Sequence, residues 1–203
     1  MLPPKLLFNV LHRVLRRVAP ALVLLGLALA SVACGPPYVI LAQSGPPSAL
    51  AGATAMTIKY DYSQIAISDK RMSEQQWLDS REKDEHRQTY LETKDSANTG
   101  FVEGLSGKIA GVQFATGDAP AGTIQISVVY TEWEEGMYAG VIAWNSKITA
   151  RVVFSRDGQV VDEIQIHVEE SASLYTPAPQ QRLHTCGKKV GELAAHYILN
   201  TTK

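Results

Sequence analysis

Residues 147–169, KITARVVFSRDGQVVDEIQIHVE, carry the pattern that decides the fold. Apolar and polar residues alternate on both sides of Asp157-Gly158, which is typical of two antiparallel strands joined by a tight turn. A two-residue turn would place Val152 opposite Glu163, whereas a three-residue turn over 156–158, with Gly158 left-handed, keeps the apolar residues on one face. The sequence therefore predicts the three-residue turn and one buried face formed by Ile148, Val152, Phe154, Val160, Ile164 and Ile166.

Further strands are predicted on the N-terminal side of this hairpin. Short apolar or alternating runs indicate strands at 38–42, 55–62, 111–115 and 123–131. A proline- and glycine-containing loop separates the first two of these strands.

Two helices complete the prediction. Ser73 and Gln76 resemble a capping box, which begins a long helix extending to about residue 110 with a kink near 98–100. A last helix is expected from 178–180 to residue 199. The buried stripe of the first helix is predicted to contain Ala97, Phe101, Leu105 and Ile109, and that of the second Leu183, Cys186, Val190, Leu193 and Tyr197.

This order of elements predicts an α+β fold. A mostly antiparallel sheet would carry one long helix and a C-terminal helix packed on one face. The expected domain organisation is a signal peptide at 1–33, a lipidated cysteine with a short spacer at 34–37, and a single α+β domain at 38–203.

The first 33 residues have the pattern of an export signal. A basic start without acidic residues is followed by an apolar run, 21–33, that ends directly before Cys34. The segment SVAC, 31–34, resembles the lipobox of bacterial lipoproteins, although Ser31 stands where that family prefers leucine. The resemblance implies that Cys34 is acylated, becomes the first mature residue and anchors the protein in a membrane. Gly35, where some bacteria carry an aspartate for inner-membrane retention, implies the outer membrane and a periplasmic orientation.

Two other interpretations of this leader stay open. An uncleaved transmembrane helix needs about 20 apolar residues, and Pro20 together with Gly-Pro-Pro at 35–37 leaves a shorter run. Cleavage after Ala33 without lipid attachment would instead release the protein from the membrane.

Charge and cysteine content exclude several classes of function. Four of the 19 Lys and Arg residues lie in the leader, which leaves 15 against 20 Asp and Glu and a formal charge of −5. This balance argues against nucleic acid as a partner, because such proteins carry clustered basic residues. If Cys34 carries lipid, Cys186 has no partner, so neither a disulfide framework nor a cysteine-based zinc site is expected.

The histidines and short motifs indicate no chemistry. His86 lies in the charged helix, His167 alternates with Glu169 along a strand, and His184 and His196 are twelve residues apart. The nucleophile elbow, the phosphate-binding glycine loop and the zinc-protease motif are all absent from the sequence. No catalytic residue, metal or cofactor is therefore predicted.

One stretch combines aromatic and acidic residues in the manner of a binding loop. Residues 132–138, EWEEGMY, are followed shortly by Trp144. One interpretation makes Trp133, Glu134 and Tyr138 contact residues for a partner, and the other has Trp133 capping an edge of the sheet. The charged segment 73–94 has a similar ambiguity between a solvated helix face and an arm that docks a partner.

The mature chain resembles a broad group of small bacterial envelope lipoproteins of uncharacterised function. Their domain is related to the N-terminal domain of TolB and to the penicillin-binding-protein activator lipoproteins. The resemblance rests on SVAC at 31–34, YVILAQSGPPSALAG at 38–52, ISVVYTEWEEG at 126–136 and KITARVVFSRDGQVVDEI at 147–164. These are features of a fold, and the resemblance implies no active-site residues.

Two classes of function follow from these observations. The first is a membrane-anchored, non-enzymatic interaction or accessory domain of the cell envelope, with an envelope protein as its partner. The alternative is an envelope enzyme acting on glycan or peptide. The alternative requires Glu132, Glu134, Glu135 or His167 to converge with Asp or Arg in a deep pocket.

Overall fold

Nine strands and three helices are present in the part of the chain that the computed structural model describes, residues 37–46 and 48–202. The strands are β1 Val39–Ala42, β2 Ala55–Asp61, β3 Ala66–Ile67, β4 Gln113–Thr116, β5 Ile124–Glu134, β6 Met137–Ala139, β7 Ile142–Trp144, β8 Ser146–Arg156 and β9 Gln159–Glu170. The helices are α1 Glu74–Asp79, α2 Asp84–Ser106 and α3 Pro179–Thr201.

Seven of these strands form one mixed sheet in the order β1-β9-β8-β5-β2-β4, with β3 beside β5. The pairs β1–β9, β9–β8 and β8–β5 are antiparallel, whereas β2 is parallel to both of its neighbours. The parallel pairing of β2 with β4 requires a crossover, which α1 and α2 supply. The predicted α+β class with a mostly antiparallel sheet and a C-terminal helix packed against it is confirmed.

The turn between β8 and β9 differs from the prediction. It has two residues, Asp157 and Gly158, and both are left-handed, with φ of 52° and 80°. Arg156 pairs with Gln159, so the expected three-residue turn is wrong. The register then shifts, so that Phe154 lies opposite Asp162. One extra residue in β9 thus returns the apolar residues of both strands to one face, which is the usual effect of a β-bulge.

The bulge has two consequences for burial. Val160, expected inside, lies before the shift and is exposed, while the other five residues of the predicted apolar face are buried. Asp162 is carried to the inner face and is completely buried. Its carboxylate accepts hydrogen bonds from the backbone N–H and hydroxyl of Ser44, at 2.7 and 2.8 Å, and from the hydroxyl of Ser48. These bonds satisfy the buried carboxyl group and hold the segment after β1 against the β8–β9 hairpin.

The predicted single long helix is wrong, because α1 ends at Asp79 and α2 begins at Asp84. The Ser80 hydroxyl bonds the carbonyl of Trp77 and competes with continuation of the helix. The capping box is confirmed: Ser73 Oγ accepts from the N–H of Gln76, whose side chain accepts from the Ser73 N–H.

Helix α2 packs on the inner face of the sheet along the predicted stripe. Ala97, Phe101 and Leu105 are completely buried, and Ile109 is buried beyond the end of the helix. The residues at which a kink was expected, 98–100, lie within α2, which is one continuous helix from Asp84 to Ser106.

Helices α2 and α3 touch through four glycines that lie in two pairs, each pair separated by four residues. A Cβ atom on Gly100 or Gly104 would lie 2.2 or 2.1 Å from a backbone carbonyl oxygen of α3. A Cβ on Gly187 or Gly191 would lie 2.0 or 2.1 Å from a carbonyl oxygen of α2. Only glycine permits this approach of the two backbones. At this contact, higher residue numbers in α2 lie beside higher residue numbers in α3. The two helices are therefore parallel.

This close contact also sets the rotation of α3. Leu183, Cys186, Val190 and Tyr197 are buried as predicted. Leu193 is only partly buried, so its predicted place in the centre of the stripe is wrong. Gly187 and Gly191 face α2, and Ala194 and Ala195 are buried, so Leu193 lies at the margin of the buried face and still packs against the core.

Candidate functional site

A separate two-stranded hairpin, β6 and β7, projects from the chain between β5 and β8. Met137 pairs with Trp144, and Ala139 pairs with Ile142. The hairpin exposes large apolar side chains, and Val141 at its tip is 100% exposed and Trp144 is 62% exposed. Clustered exposed apolar residues on a soluble domain are typical of a contact surface.

A groove of about 610 Å³ lies between this hairpin and the segment that carries Ser68 and Trp77. We call it the hairpin groove. It combines aromatic side chains with charges of both signs. It is lined by Ser68, Asp69, Lys70, Met72, Trp77, Glu134, Ala143, Trp144, Asn145 and Lys147. A smaller depression of about 310 Å³ shares four of these residues and adds Arg71 and Glu132.

The base of the hairpin is held by a buried guanidinium. Arg182 at the start of α3 is completely buried. Its Nε donates to the hydroxyl of Ser146 at 2.8 Å, and its terminal nitrogens donate to the carbonyls of Glu135 at 3.1 Å and Thr176 at 2.8 Å. Burial lowers the pKa of Arg182. The hairpin therefore projects from a fixed base although its tip is free.

The residues predicted to bind a partner occupy three different environments. Trp133 is almost completely buried, so the interpretation of an exposed aromatic is wrong for this residue. Glu134 is partly exposed and lines the hairpin groove. Tyr138 lies in β6 and is partly exposed. Trp144, which the sequence placed next to this stretch, is the exposed tryptophan of the groove.

Trp133 belongs to an aromatic cluster in the core. Its ring makes edge contacts with Tyr130, at 5.4 Å between ring centroids, and with Tyr62 and Tyr90, each at 6.4 Å. It also lies in β5, between β3 and β8, and not at an edge of the sheet. Both interpretations of Trp133 from the sequence are therefore replaced by a role in packing.

Glu132 and His167 are linked through a hydroxyl on the outer face of the sheet. Thr149 donates to Glu132 Oε2 at 2.8 Å, and Arg71 donates to Oε1 at 3.2 Å. The hydrogen bond from Thr149 and the nearby Arg71 lower the pKa of Glu132, which keeps this carboxylate ionised. His167 Nδ1 lies 2.8 Å from the Thr149 hydroxyl, whose proton goes to Glu132, so the imidazole donates to this oxygen.

Glu135 faces the helices. Its carboxylate lies 3.4 Å from the hydroxyl of Thr93 and 3.7 Å from the guanidinium of Arg81. Burial raises the pKa of Glu135. Glu132 and Glu134 thus line one open depression, while Glu135 and His167 lie outside it. Within the described residues, the four side chains do not converge in one deep pocket.

Four further features concern metal binding, the thiol of Cys186, membrane crossing and lipid attachment. Residues 37–46 and 48–202 contain no group of three His, Cys, Asp or Glu side chains placed to hold a metal. Cys186 is buried in the core, and burial raises the pKa of its thiol to about 12. None of the described helices has both the length and the apolar character needed to cross a bilayer. Cys34, the predicted lipidation site, lies outside the described residues.

This chain has distant likenesses to solved structures. No protein-family model and no curated protein matches the chain. The PelC dodecamer from Paraburkholderia phytofirmans is similar with a TM-score of 0.40 at 11% identity, covering 76% of this chain and 97% of that one. An uncharacterised protein gives 0.40 at 13% identity, covering 77% and 95%. A putative neuraminyllactose-binding hemagglutinin homolog from Helicobacter pylori gives 0.30 at 9% identity, covering 78% and 86%.

These values carry no argument about the activity or assembly of this chain. None of the three is TolB or a penicillin-binding-protein activator, so the resemblance stated from the sequence stays a prediction.

Proposed function

We propose that this chain is an exported, lipid-anchored protein of the cell envelope that binds a protein partner through the β6–β7 hairpin and the hairpin groove. It acts as an interaction or accessory domain and not as an enzyme. The lipid at Cys34 holds it in the outer membrane, facing the periplasm. The observation that supports the contact surface best is the exposure of Val141 and Trp144 on a hairpin whose base is fixed by Arg182.

The chemistry of this surface favours a protein over other partners. Tryptophan is enriched among the residues that dominate binding energy at protein interfaces. The groove places Trp77 and Trp144 among Lys70, Lys147 and Glu134, so an occupant can bury aromatic area and meet charges of both signs at its rim. The formal charge of −5 after the leader disfavours nucleic acid.

A fixed base makes such a surface effective. Binding costs free energy when side chains and loops must be ordered at the interface. Here Arg182 donates hydrogen bonds to the carbonyl of Glu135, which lies just before β6, and to the hydroxyl of Ser146 at the start of β8. The Ser146 hydroxyl also donates to the Glu135 carbonyl. The hairpin is thus held at both of its ends before a partner arrives.

Site-specific photo-crosslinking in intact envelopes tests the contact surface. A photoreactive residue replaces Val141, and the matched control places it at Val160, which is also an exposed valine on a hairpin. We expect a discrete crosslinked product from position 141 and none from position 160. Equal products at both positions, or none at 141, would show that the hairpin is not the contact surface.

Cys34→Ser tests the anchor independently. The variant should lose lipid labelling and move to the soluble periplasmic fraction. If it stays in the membrane with unchanged electrophoretic mobility, the uncleaved transmembrane helix replaces the lipid anchor.

A further inference from the structure

The surface next to Pro37 contains an apolar edge strand. Among residues 37–46 and 48–202, strand β1 lies at the end of the sheet and pairs only with β9. Val39, Ile40 and Leu41 are 60%, 44% and 48% exposed, so three consecutive apolar side chains lie on a free edge. Proteins usually protect such edges with charges, proline or a covering element, because an apolar edge strand promotes association.

An apolar recess continues this edge onto α3. It has a volume of about 370 Å³ and is lined by Pro37, Lys108, Glu192, Leu193, His196 and Leu199. Tyr38, between the recess and β1, is buried and packs edge-on against Tyr197, with ring centroids 5.5 Å apart. The start of β1 is therefore attached firmly to α3. We call Val39, Ile40, Leu41, Leu193 and Leu199 the anchor-side surface.

We propose that the anchor-side surface lies against the lipid bilayer. This inference rests on the membrane anchor of the proposed function. Cys34 precedes Pro37 by three residues, so its backbone lies within about 11 Å of Pro37, which lines the recess. The polar layer on each side of the hydrocarbon core is only about 5–8 Å thick. A tether this short keeps the anchor-side surface close to the hydrocarbon core, where apolar side chains are removed from water.

The membrane lies close to Pro37 whether a lipid or an uncleaved helix anchors the chain. A lipid at Cys34 and an uncleaved helix over 21–33 both bring the membrane to within a few residues of Pro37. The rim of the recess carries Lys108, Glu192 and His196, which is not a basic cluster. Burial of apolar side chains therefore drives the contact, and phosphatidylcholine is sufficient, without the anionic lipid that polybasic surfaces need.

The inference also orients the β6–β7 hairpin. Arg182, which holds the base of the hairpin, lies fourteen residues before His196 on α3, a separation of about 21 Å along the helix axis. The hairpin therefore lies at the end of α3 away from the bilayer, where a partner in the periplasm reaches it.

Environment-sensitive labels test the inference with the full lipidated protein in phosphatidylcholine vesicles. Single cysteines replace Leu41, Leu199 or Val141 and carry a fluorophore; Cys186 is buried and should not react. We expect a blue-shifted emission and several-fold stronger quenching by a lipid-borne quencher at positions 41 and 199 than at 141. Addition of phosphatidylglycerol should leave these values unchanged.

Lipid attachment and flotation with the vesicles are measured on the same samples. If the protein is acylated and floats but positions 41 and 199 report water, the membrane contact is wrong while the anchor stands. If the protein is neither acylated nor membrane-bound, the anchor and this inference are both overturned. A signal at position 141 equal to that at 41 would overturn the orientation.

Discussion

The α2–α3 contact and the β6–β7 hairpin differ in the space that surrounds their backbones. At the helix contact, a Cβ on Gly187 would lie 2.0 Å from the carbonyl oxygen of Ala97. At the hairpin tip, no atom of the described part of the chain lies within 4 Å of a Cβ built on Gly140, and Val141 next to it is fully exposed. The first region leaves no space because the backbones of two helices are in contact there. The second contributes little to the core, so its apolar residues call for another explanation.

The largest effect is expected at the helix contact. Gly191→Val should destabilise the protein by about 3 kcal/mol, because its side chain must push the backbones of α2 and α3 apart. Chemical denaturation measures the change in free energy of unfolding. The control is Lys188→Val, because the backbone of Lys188 lies at the same contact but its side chain is exposed, and a change below about 1 kcal/mol is expected. Helix propensity alone would favour valine over glycine at position 191. A Gly191→Val variant that is no less stable than Lys188→Val would therefore contradict the close contact of the two backbones.

A smaller effect is expected where the scaffold meets the hairpin. Arg182→Lys keeps the charge but loses the planar set of donors that reaches Ser146, Glu135 and Thr176. We expect a loss of about 2 kcal/mol, in the range of hydrogen bonds to charged groups. Amide hydrogen exchange should also become faster at residues 135–146. Unchanged exchange there would mean that the base of the hairpin does not depend on Arg182.

A still smaller effect is expected from Glu135, whose ionisation makes the stability of the fold depend on pH. Burial raises its pKa from the ordinary value of 4.5, so it contributes stability that is present below pH 4.5 and is lost as pH rises through the folded pKa. Glu135→Gln should therefore become increasingly stable relative to wild type as pH rises above 4.5, as measured by thermal unfolding.

The matched variant Glu169→Gln has the opposite sign. A hydrogen bond from Lys147 lowers the pKa of Glu169, so its contribution is present above pH 4.5 and is lost as pH falls through the folded pKa. Parallel pH profiles for the two variants would contradict the assignment of Glu135 to a buried site.

The sequence predicts the regular parts of this fold because their periodicity is long enough to be recognised. Strands β5, β8 and β9 have eleven or twelve residues, and alternation identifies each of them. Alternation predicts the buried face of β8 and β9, but the three-residue turn predicted with it is wrong. The bulge in β9 places the same residues on the buried face as a three-residue turn would. The bulge and the turn differ only in whether Val160 is buried, and it is exposed.

The parts that were missed depend on contacts across the chain. The glycine pairs at 100 and 104 and at 187 and 191 are visible in the sequence, yet their meaning emerges only when α2 and α3 meet. Strands β6 and β7 have three residues each, too few for alternation to be recognised. Trp133 continues the alternation of Ile124 to Tyr130 only after a register shift in β5, so its burial was not evident beside three glutamates.

The measurement that tests the central claim most directly is the effect of Trp144→Ala on stability and on crosslinking together. Trp144 is exposed and lines the hairpin groove, so its removal should change the free energy of unfolding by less than about 0.5 kcal/mol. The crosslinked product from a photoreactive residue at position 141 should disappear. A variant that keeps this product would contradict the account of the hairpin as the partner-binding surface, as would one that loses it only because the domain unfolds.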